Sequence, residues 1–193
     1  MKKIVFATNN ENKVREISGL LGEQYEVLTL AQIGCIEELE ETSDTLEGNA
    51  RQKAEYVTKK YKVDCFADDT GLEIETLNGE PGVYSARYAG SDRSSEDNMA
   101  KVLDGLSNKE NRDAQFRTAI CLVLNNESYI FEGIAKGQIT EDKSGKDGFG
   151  YDPIFQPKGF ELTFAEMTRS EKNEISHRGM AVRKMVAWLR EQE

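Results

Sequence analysis

Two adjacent aspartates, Asp68 and Asp69, follow the short apolar run Cys65-Phe66-Ala67. Such a run is typical of a buried strand, so the sequence predicts both carboxylates at the end of a strand. Neighbouring carboxylates repel each other and need a cation or a raised pKa to coexist. Mg²⁺ prefers oxygen ligands and typically uses one or two carboxylates together with substrate phosphates. The pair therefore indicates a site for a hard divalent metal, while an aspartate pair that caps a turn before Gly71 is the alternative.

A lysine and an acidic run precede this pair in the chain. The pattern predicts a helix over Leu46–Tyr61, and Lys53, seven residues after Leu46, lies on its inward face. Lys53 either has a functional role on this inward face or packs its stem while its head reaches water. The acidic stretch from Glu37 to Glu41 either supplies a further metal ligand or forms a solvated loop.

Two segments in the C-terminal half have residue types that could bind an organic ligand. The glycine-rich stretch 145–153 predicts a shaped loop, in which Phe149 and Tyr151 could stack on a base or pack in the core. His177, the only histidine, stands beside Arg178 at the predicted start of the last helix. Two donors there suit an oxygen-rich ligand, whereas a capped surface helix is the alternative. A single histidine excludes a histidine-based triad and a histidine-rich metal site.

The N-terminal segment predicts a strand, a polar loop and a helix. The run Ile4-Val5-Phe6-Ala7 fits a buried strand, and a helical pattern with Val14, Ile17, Leu20 and Leu21 on one face follows and ends at Gly22. Backbone N–H groups at such a helix start bind anions well. The GxxxxGK[ST] spacing is absent, so the loop is not a Walker A loop.

The rest of the chain alternates between strand and helix patterns. Strands are predicted at 25–30, at 65–67 and within 114–139, and an alternating segment at 73–77. Helices are predicted after Ser94 or Ser95 and at the C-terminal end, where Val182, Met185, Val186 and Leu189 face inward. Without an internal repeat or a linker, residues 1–193 are expected to form one α/β domain.

Composition narrows the class of protein. The 193 residues are 38% hydrophobic and 31% charged, with a formal net charge of −10, which disfavours polymeric nucleic acid as a partner. No apolar run approaches a membrane span, and the first residues read as a strand rather than a signal peptide. Three scattered cysteines, Cys35, Cys65 and Cys121, argue for reduced thiols in the cytoplasm.

Seven collinear segments together resemble the RdgB-like family of inosine triphosphate pyrophosphatases over nearly the whole chain. They are Thr8-Asn9-Asn10-Glu11-Asn12-Lys13-Val14-Arg15-Glu16, Glu40-Glu41-Thr42, Glu47-Gly48-Asn49-Ala50 with Lys53-Ala54, Ala67-Asp68-Asp69-Thr70-Gly71-Leu72, Pro81-Gly82-Val83-Tyr84-Ser85-Ala86-Arg87-Tyr88, Gly148-Phe149-Gly150-Tyr151-Asp152-Pro153 and Ser176-His177-Arg178-Gly179. The departures are Asn9 where many members have glycine, Gly48 where many have glutamate, and Thr70 where many have serine.

The resemblance implies an α/β fold with an elongated mixed β-sheet and flanking helices that form two lobes around a nucleotide cleft, usually as a homodimer. It also implies Mg²⁺-dependent hydrolysis of ITP, dITP and XTP to the monophosphate and pyrophosphate, with water attacking the α-phosphorus.

The resemblance assigns roles to particular residues. Asp69 and Asp68 together would activate water, and Asp69 and Glu41 would hold Mg²⁺, with Glu40 as a substitute for Glu41. The polar first loop and two lysines would cradle the triphosphate: Thr8, Asn9, Asn10, Glu11, Asn12, Lys13 and Lys53. The Thr70 hydroxyl keeps the ability to hydrogen-bond substrate. Base choice would lie with Phe149, Gly150, Tyr151, Asp152, Lys172, His177 and Arg178.

Two other functions fit parts of the pattern. A nucleotide sensor that does not hydrolyse its ligand would retain the first loop and the His177-Arg178 pair, but it would need no carboxylate pair. A related pyrophosphatase of the Maf type would act on pyrimidine nucleotides instead.

Overall fold

The computed structural model describes residues 2–17, 20–21 and 25–192. A six-stranded sheet has the strand order β2-β1-β3-β4-β5-β6. The strands are β1 (Lys2–Phe6), β2 (Tyr25–Thr29), β3 (Cys65–Ile74), β4 (Asp113–Leu124), β5 (Glu127–Ile139) and β6 (Phe155–Pro157). The helices are α1 (Glu11–Ile17), α2 (Leu46–Tyr61), α3 (Ser95–Gly105), α4 (Arg169–Ile175) and α5 (His177–Glu191). Since β1 pairs in parallel with β2 and β3 while β5 and β6 are antiparallel, the predicted mixed α/β class is confirmed.

The chain folds as two compact units. The first comprises the residues up to Asp69, Thr118–Gly133 and the residues from Arg178 onward, and the second comprises Thr70–Arg117 and Ile134–His177. The expectation of one domain over residues 1–193 stays a prediction. No helix in the described ranges is long and apolar enough to span a bilayer.

In the first unit, helices cover both faces of the strands. Ile4 and Phe6 on β1 pack with residues of α1 and α5, whereas Val5 and Ala7 pack with residues of α2. This split follows from the strand period of two, which sends successive side chains to opposite faces. The predicted inward residues of α5 are buried as expected: Val182, Met185, Val186 and Leu189.

In the second unit, one apolar cluster joins strands to α3. Leu72 and Ile74 of β3 pack in the same cluster as Met99 and Val102 of α3. Gly71 allows a close backbone approach, since a Cβ there would lie 2.6 Å from the carbonyl oxygen of Gly82. The next residue, Leu72, is held by the segment that follows Gly82, because its backbone N–H donates to the Ser85 hydroxyl at 2.9 Å.

Several element predictions need correction. The residues 65–67 do not form a short strand that ends before the aspartate pair, because β3 continues to Ile74. The helix α1 ends at Ile17, so Leu20 and Leu21 lie beyond it, and the predicted stop at Gly22 lies outside the described residues. Strand β6 and helix α4 were not predicted.

Candidate active site

The two aspartates lie inside β3, where the strand alternation sends their side chains to opposite faces. The alternative of a turn-capping pair is therefore wrong, and so is the prediction that they stand at the end of a strand. Asp68 has the parity of Phe66, which packs with α1 and α5, and Asp69 has the parity of Ala67, which packs with α2. Each carboxylate thus meets a different set of helices.

Asp68 is fully buried among cations. Its two oxygens accept from Lys13 Nζ at 3.0 Å and from Arg178 Nε at 3.1 Å. Burial alone would raise the pKa of Asp68, but the charges of Lys13, Arg178 and Lys53 outweigh burial and hold the pKa below its ordinary value. Asp68 is therefore held as an anion.

The Arg178 guanidinium extends this network to α1, because Nη1 also donates to the Glu16 carboxylate. Burial tends to lower the pKa of Arg178, and the charges of Asp68 and Glu16 raise it beyond its ordinary value. Glu16, Lys13, Asp68 and Arg178 form an ion network that joins α1, β3 and α5, and removal of one partner of a buried pair strands the charge of the other.

Asp69 accepts a hydrogen bond from a neutral side chain. Its Oδ2 accepts from Asn49 Nδ2 of α2 at 2.9 Å. Burial raises the pKa of Asp69, and the charge of Glu41 acts in the same direction, against the lowering effects of Lys53, Lys13 and the Asn49 hydrogen bond. The two aspartates therefore have pKa values that are pushed apart, as is common where neighbouring acids have different chemical tasks.

Lys53 lies at the inner face of α2, and its ammonium group is buried with its stem. Nζ donates to Glu41 Oε1 at 2.5 Å and to the Asp68 carbonyl oxygen at 2.8 Å. Burial alone would lower the pKa of Lys53, but the charges of Asp69, Glu41 and Asp68 raise it above its ordinary value. The buried ammonium group does not fit the alternative in which the head of Lys53 reaches water, and a contact from Lys53 to the triphosphate stays a prediction.

The first loop is organised around the start of α1. The Asn10 side chain accepts from the backbone N–H groups of Asn12 and Lys13 at 3.0 and 3.3 Å, so it caps the helix. The Thr8 hydroxyl accepts from the Asn10 N–H at 3.2 Å. Asn9, Asn10 and Glu11 are exposed, while Thr8, Asn12 and Lys13 are half-buried.

Glu41 and Asp69 fit a hard cation as oxygen donors. Lys53 Nζ contacts both the Glu41 carboxylate and the carbonyl oxygen of Asp68, the residue before Asp69, which places the two carboxylates in one neighbourhood. Among the described residues no group of three or more acidic, cysteine or histidine side chains could hold a metal. Such a site would need phosphate oxygens to complete the metal's ligands, as is usual for Mg²⁺. Glu40 is exposed.

Glu37, at the other end of the acidic run, has a different set of partners. Glu37 accepts from Lys60 Nζ at 2.6 Å and from the hydroxyl groups of Tyr61 and Tyr56 at 2.9 and 3.0 Å. Glu37 therefore anchors its loop to the C-terminal half of α2, away from Lys53 by about two turns of helix.

In the second unit, Asp152 and Lys172 form a buried pair. Lys172 Nζ donates to Asp152 Oδ2 at 2.7 Å and lies 5.1 Å from the centre of the Phe149 ring. The same carboxylate oxygen accepts from the Phe149 N–H at 2.8 Å. Gly148 has φ +78°, and a Cβ there would lie 2.2 Å from Asp152 Oδ2, so the loop closes around this carboxylate only with glycine.

Four further residues of the second unit complete the predicted set. Tyr151 is buried in the core, as the core alternative predicted, and its hydroxyl donates to the Ser85 carbonyl oxygen at 2.7 Å. His177 is buried and its ring stacks on Phe116 at 4.5 Å between centroids, which excludes the surface-helix alternative for its side chain. Gly150, with φ +64°, and Thr70 are half-buried.

The structure assigns contacts to two residues that have no role in the sequence-based prediction. Asn49 holds Asp69, and Glu16 holds Arg178. Both lie in segments that carry the family resemblance, which is the signal that could have marked them. A local signal was also available for α4, since Thr168 and Glu171 form a capping box at its start.

Comparison with known proteins identifies the family. A model of the Ham1 family matches residues 4–188. The chain belongs to the Ham1 family. The resemblance inferred from the seven segments is thereby confirmed.

Relatives and solved structures agree with this placement. Ham1-family relatives named dITP/XTP pyrophosphatase, from Flavobacterium psychrophilum and Flavobacterium johnsoniae, are 56% and 58% identical. The alignments cover 97% of this chain in both cases, and 99% and 97% of the relatives. The solved Staphylococcus aureus Ham1 protein superposes with a TM-score of 0.91 at 39% identity, with both chains fully covered.

Proposed function

We propose that this chain is a magnesium-dependent pyrophosphatase that hydrolyses non-standard purine nucleoside triphosphates, such as dITP, ITP and XTP, to the monophosphate and pyrophosphate. The observation that carries the proposal is the grouping of Glu41 and Asp69 around Lys53, which contacts Glu41 and the backbone beside Asp69. Relatives named dITP/XTP pyrophosphatase support it. Had these three side chains been far apart, the carboxylates could not act with the lysine on one phosphate chain.

The chemistry assigned to Asp69 is proton acceptance. Water forms a bond to the α-phosphorus, its proton passes to an Asp69 carboxylate oxygen, and the bond from the α-phosphorus to the bridging oxygen breaks. Pyrophosphate leaves with the electron pair. Asp69 is favoured for this role over Asp68, because Lys13 and Arg178 hold the two oxygens of Asp68, whereas Asp69 accepts from the neutral amide of Asn49.

Charge is balanced by the cations around this carboxylate. Lys13 and Lys53 are assigned to the triphosphate with the first loop, where they stabilise charge on the leaving pyrophosphate. Asp69 and Glu41, with phosphate oxygens, would hold Mg²⁺, which when bound supplies further neutralisation of that charge. Arg178 is assigned to holding Asp68 rather than to the base, because its guanidinium donates to Asp68 and Glu16.

Base recognition is assigned to the second unit. Hypoxanthine and xanthine carry a 6-keto acceptor, whereas adenine carries a 6-amino donor. Lys172 and His177 offer donors, and the Phe149 ring offers a stacking face. A site built to hydrogen-bond one group rejects the analogue that lacks it by about 10⁴-fold.

A panel of ITP, dITP, XTP, dTTP, UTP and ATP with product analysis tests the proposed function. The expected result is Mg²⁺-dependent release of pyrophosphate from dITP, ITP and XTP. Turnover confined to dTTP and UTP would establish the pyrimidine alternative, and tight binding of dITP without turnover would establish a sensor. We also infer a homodimer in the cytoplasm, which light scattering and cell fractionation would test.

A further inference from the structure

Asn49 is a buried amide with a defined partner at each end. It is 1% exposed on the first helical turn of α2. Its Oδ1 accepts from the Ser43 backbone N–H at 2.9 Å, and its Nδ2 donates to Asp69 Oδ2 at 2.9 Å. A backbone N–H can only donate and a carboxylate can only accept, so these partners fix which end of the amide faces each.

The segment on the Ser43 side is the one that carries Glu41. The Thr42 N–H donates to Gln52 Oε1 at 3.1 Å, and the Glu41 carboxylate accepts from Lys53. The turn is closed tightly, because a Cβ at Gly48 would lie 2.6 Å from Ser43 Cβ. Glycine at this position leaves room for Ser43.

Asn49 therefore joins the two carboxylates of the proposed site. It donates directly to Asp69. It holds the segment of Glu41 by accepting from the backbone N–H of Ser43, two residues after Glu41. A neutral donor suits this place, since Lys53 already supplies a cation to Glu41. A second cationic side chain would compete with the proposed Mg²⁺ for the same carboxylates.

We propose that Asn49 is a positioning residue that fixes the Asp69 carboxylate and the Glu41 segment relative to each other for hydrolysis. The inference rests on the proposed function, since it assigns Asn49 a task in that reaction. Misplacement of a reacting group by about 1 Å can cost 10²-fold in rate, so a fixed carboxylate has a direct effect on turnover.

Two variants separate positioning from mere packing. Asn49→Asp keeps the shape and the acceptor for Ser43, but it replaces the donor with an oxygen that repels Asp69. Asn49→Ala removes both contacts without repulsion. We expect kcat with dITP to fall roughly 100-fold in Asn49→Asp and about 10-fold in Asn49→Ala, with KM changed less than about threefold in both. A packing role alone predicts the opposite order, because alanine loses more contacts.

Asn98→Asp is the matched control. Asn98 is equally a buried helical asparagine, and its amide donates to the Ala86 carbonyl oxygen at 3.2 Å and accepts from the Ala89 N–H at 2.7 Å. The same substitution there should lower the thermal midpoint as much as Asn49→Asp does, while kcat stays within about threefold.

Metal-free crystal structures of both Asn49 variants supply a readout that does not depend on turnover. The Asp69 side chain should leave its wild-type position in Asn49→Asp. An unmoved Asp69 in both variants, or a kcat for Asn49→Asp at or above that of Asn49→Ala, would overturn the inference. A wild-type chain that releases no pyrophosphate from dITP would instead overturn the proposed function, and the crystal structures would still decide whether Asn49 positions Asp69.

Discussion

Asp68 and Asp69 are adjacent in β3, and the pleat of the strand directs them to different helices. Asp68 meets Lys13 of α1 and Arg178 of α5, whereas Asp69 meets Asn49 of α2. A carboxylate held between two cations stays ionised and contributes to the fold, while a carboxylate with a neutral donor and a raised pKa is suited to accept a proton.

The matched variants Asp68→Asn and Asp69→Asn should therefore differ. Asp68→Asn removes the buried carboxylate that pairs with Lys13 and Arg178, although Arg178 retains Glu16, so we expect a loss of about 3 kcal/mol in the free energy of unfolding. Asp69→Asn should retain most of the stability and lose about 10²- to 10⁴-fold in kcat. Urea unfolding and pyrophosphate release measure the two effects. Near-normal turnover in Asp69→Asn would contradict its assignment as the base.

Residue types at this site were predictable, but their partners were not. The adjacent aspartates and the inward lysine stand out in the sequence, and the structure places Lys53 against Glu41. The division of labour between the aspartates depends on how far β3 continues and on which helices cover each face. Both depend on packing over long sequence separations, such as the 110 residues between Asp68 and Arg178.

At the scale of elements, the turn at Gly82–Arg87 supports the glycine-rich loop 145–153 of the second unit. The Ser85 hydroxyl donates to the Gly82 carbonyl oxygen at 2.6 Å, and the Ser85 carbonyl accepts from the Tyr151 hydroxyl. Tyr151 stands directly before Asp152, which holds Lys172 and the Phe149 N–H. The turn thus supports the glycine-rich loop through the side chain of Tyr151.

Tyr151→Phe tests this support. The ring keeps its packing and the hydroxyl is lost, so the free energy of unfolding should fall by about 1 kcal/mol, as for one buried hydrogen bond. If the hydroxyl only anchors the loop, kcat with dITP should stay within about twofold of wild type. Thermal unfolding and steady-state kinetics make the comparison. Unchanged stability with a large rise in KM would instead place the hydroxyl on the substrate.

The loop before α2 gives a pH-dependent prediction. The hydrogen bond from Lys60, followed by those from a backbone N–H and Tyr61, lowers the pKa of Glu37 from 4.5 to about 2. A lowered pKa contributes stability above the unfolded value, and this contribution is lost as the pH falls towards 2.

Glu37→Gln should therefore be less stable than wild type at pH 6, and the gap in the urea midpoint should narrow as the pH falls below about 4.5. Urea unfolding of both proteins between pH 6 and pH 3 measures the gap. A gap that widens with falling pH would show that Glu37 is not held as an anion by its neighbours.

At the scale of the whole molecule, an acidic chain gathers cations locally, as the proposed polyanionic substrate requires. The formal net charge is −10, yet Lys13, Lys53 and Arg178 gather around Asp68 in the first unit. Local fields rather than net charge decide whether an anion binds. The α/β class and the order of most elements were predictable from hydrophobic periodicity, whereas the mixed sheet was implied by the family resemblance. The residues that make up each unit and the strand order were not predictable, because they depend on pairings between distant segments.

Hydrolysis of dITP in ¹⁸O-labelled water, followed by mass spectrometry of the products, tests the central claim most directly. Attack of water at the α-phosphorus predicts one ¹⁸O atom in the monophosphate and none in the pyrophosphate. Label in the pyrophosphate would place the attack at the β-phosphorus, and formation of dIDP with inorganic phosphate would show cleavage at the terminal bond. Either result would contradict the proposed reaction.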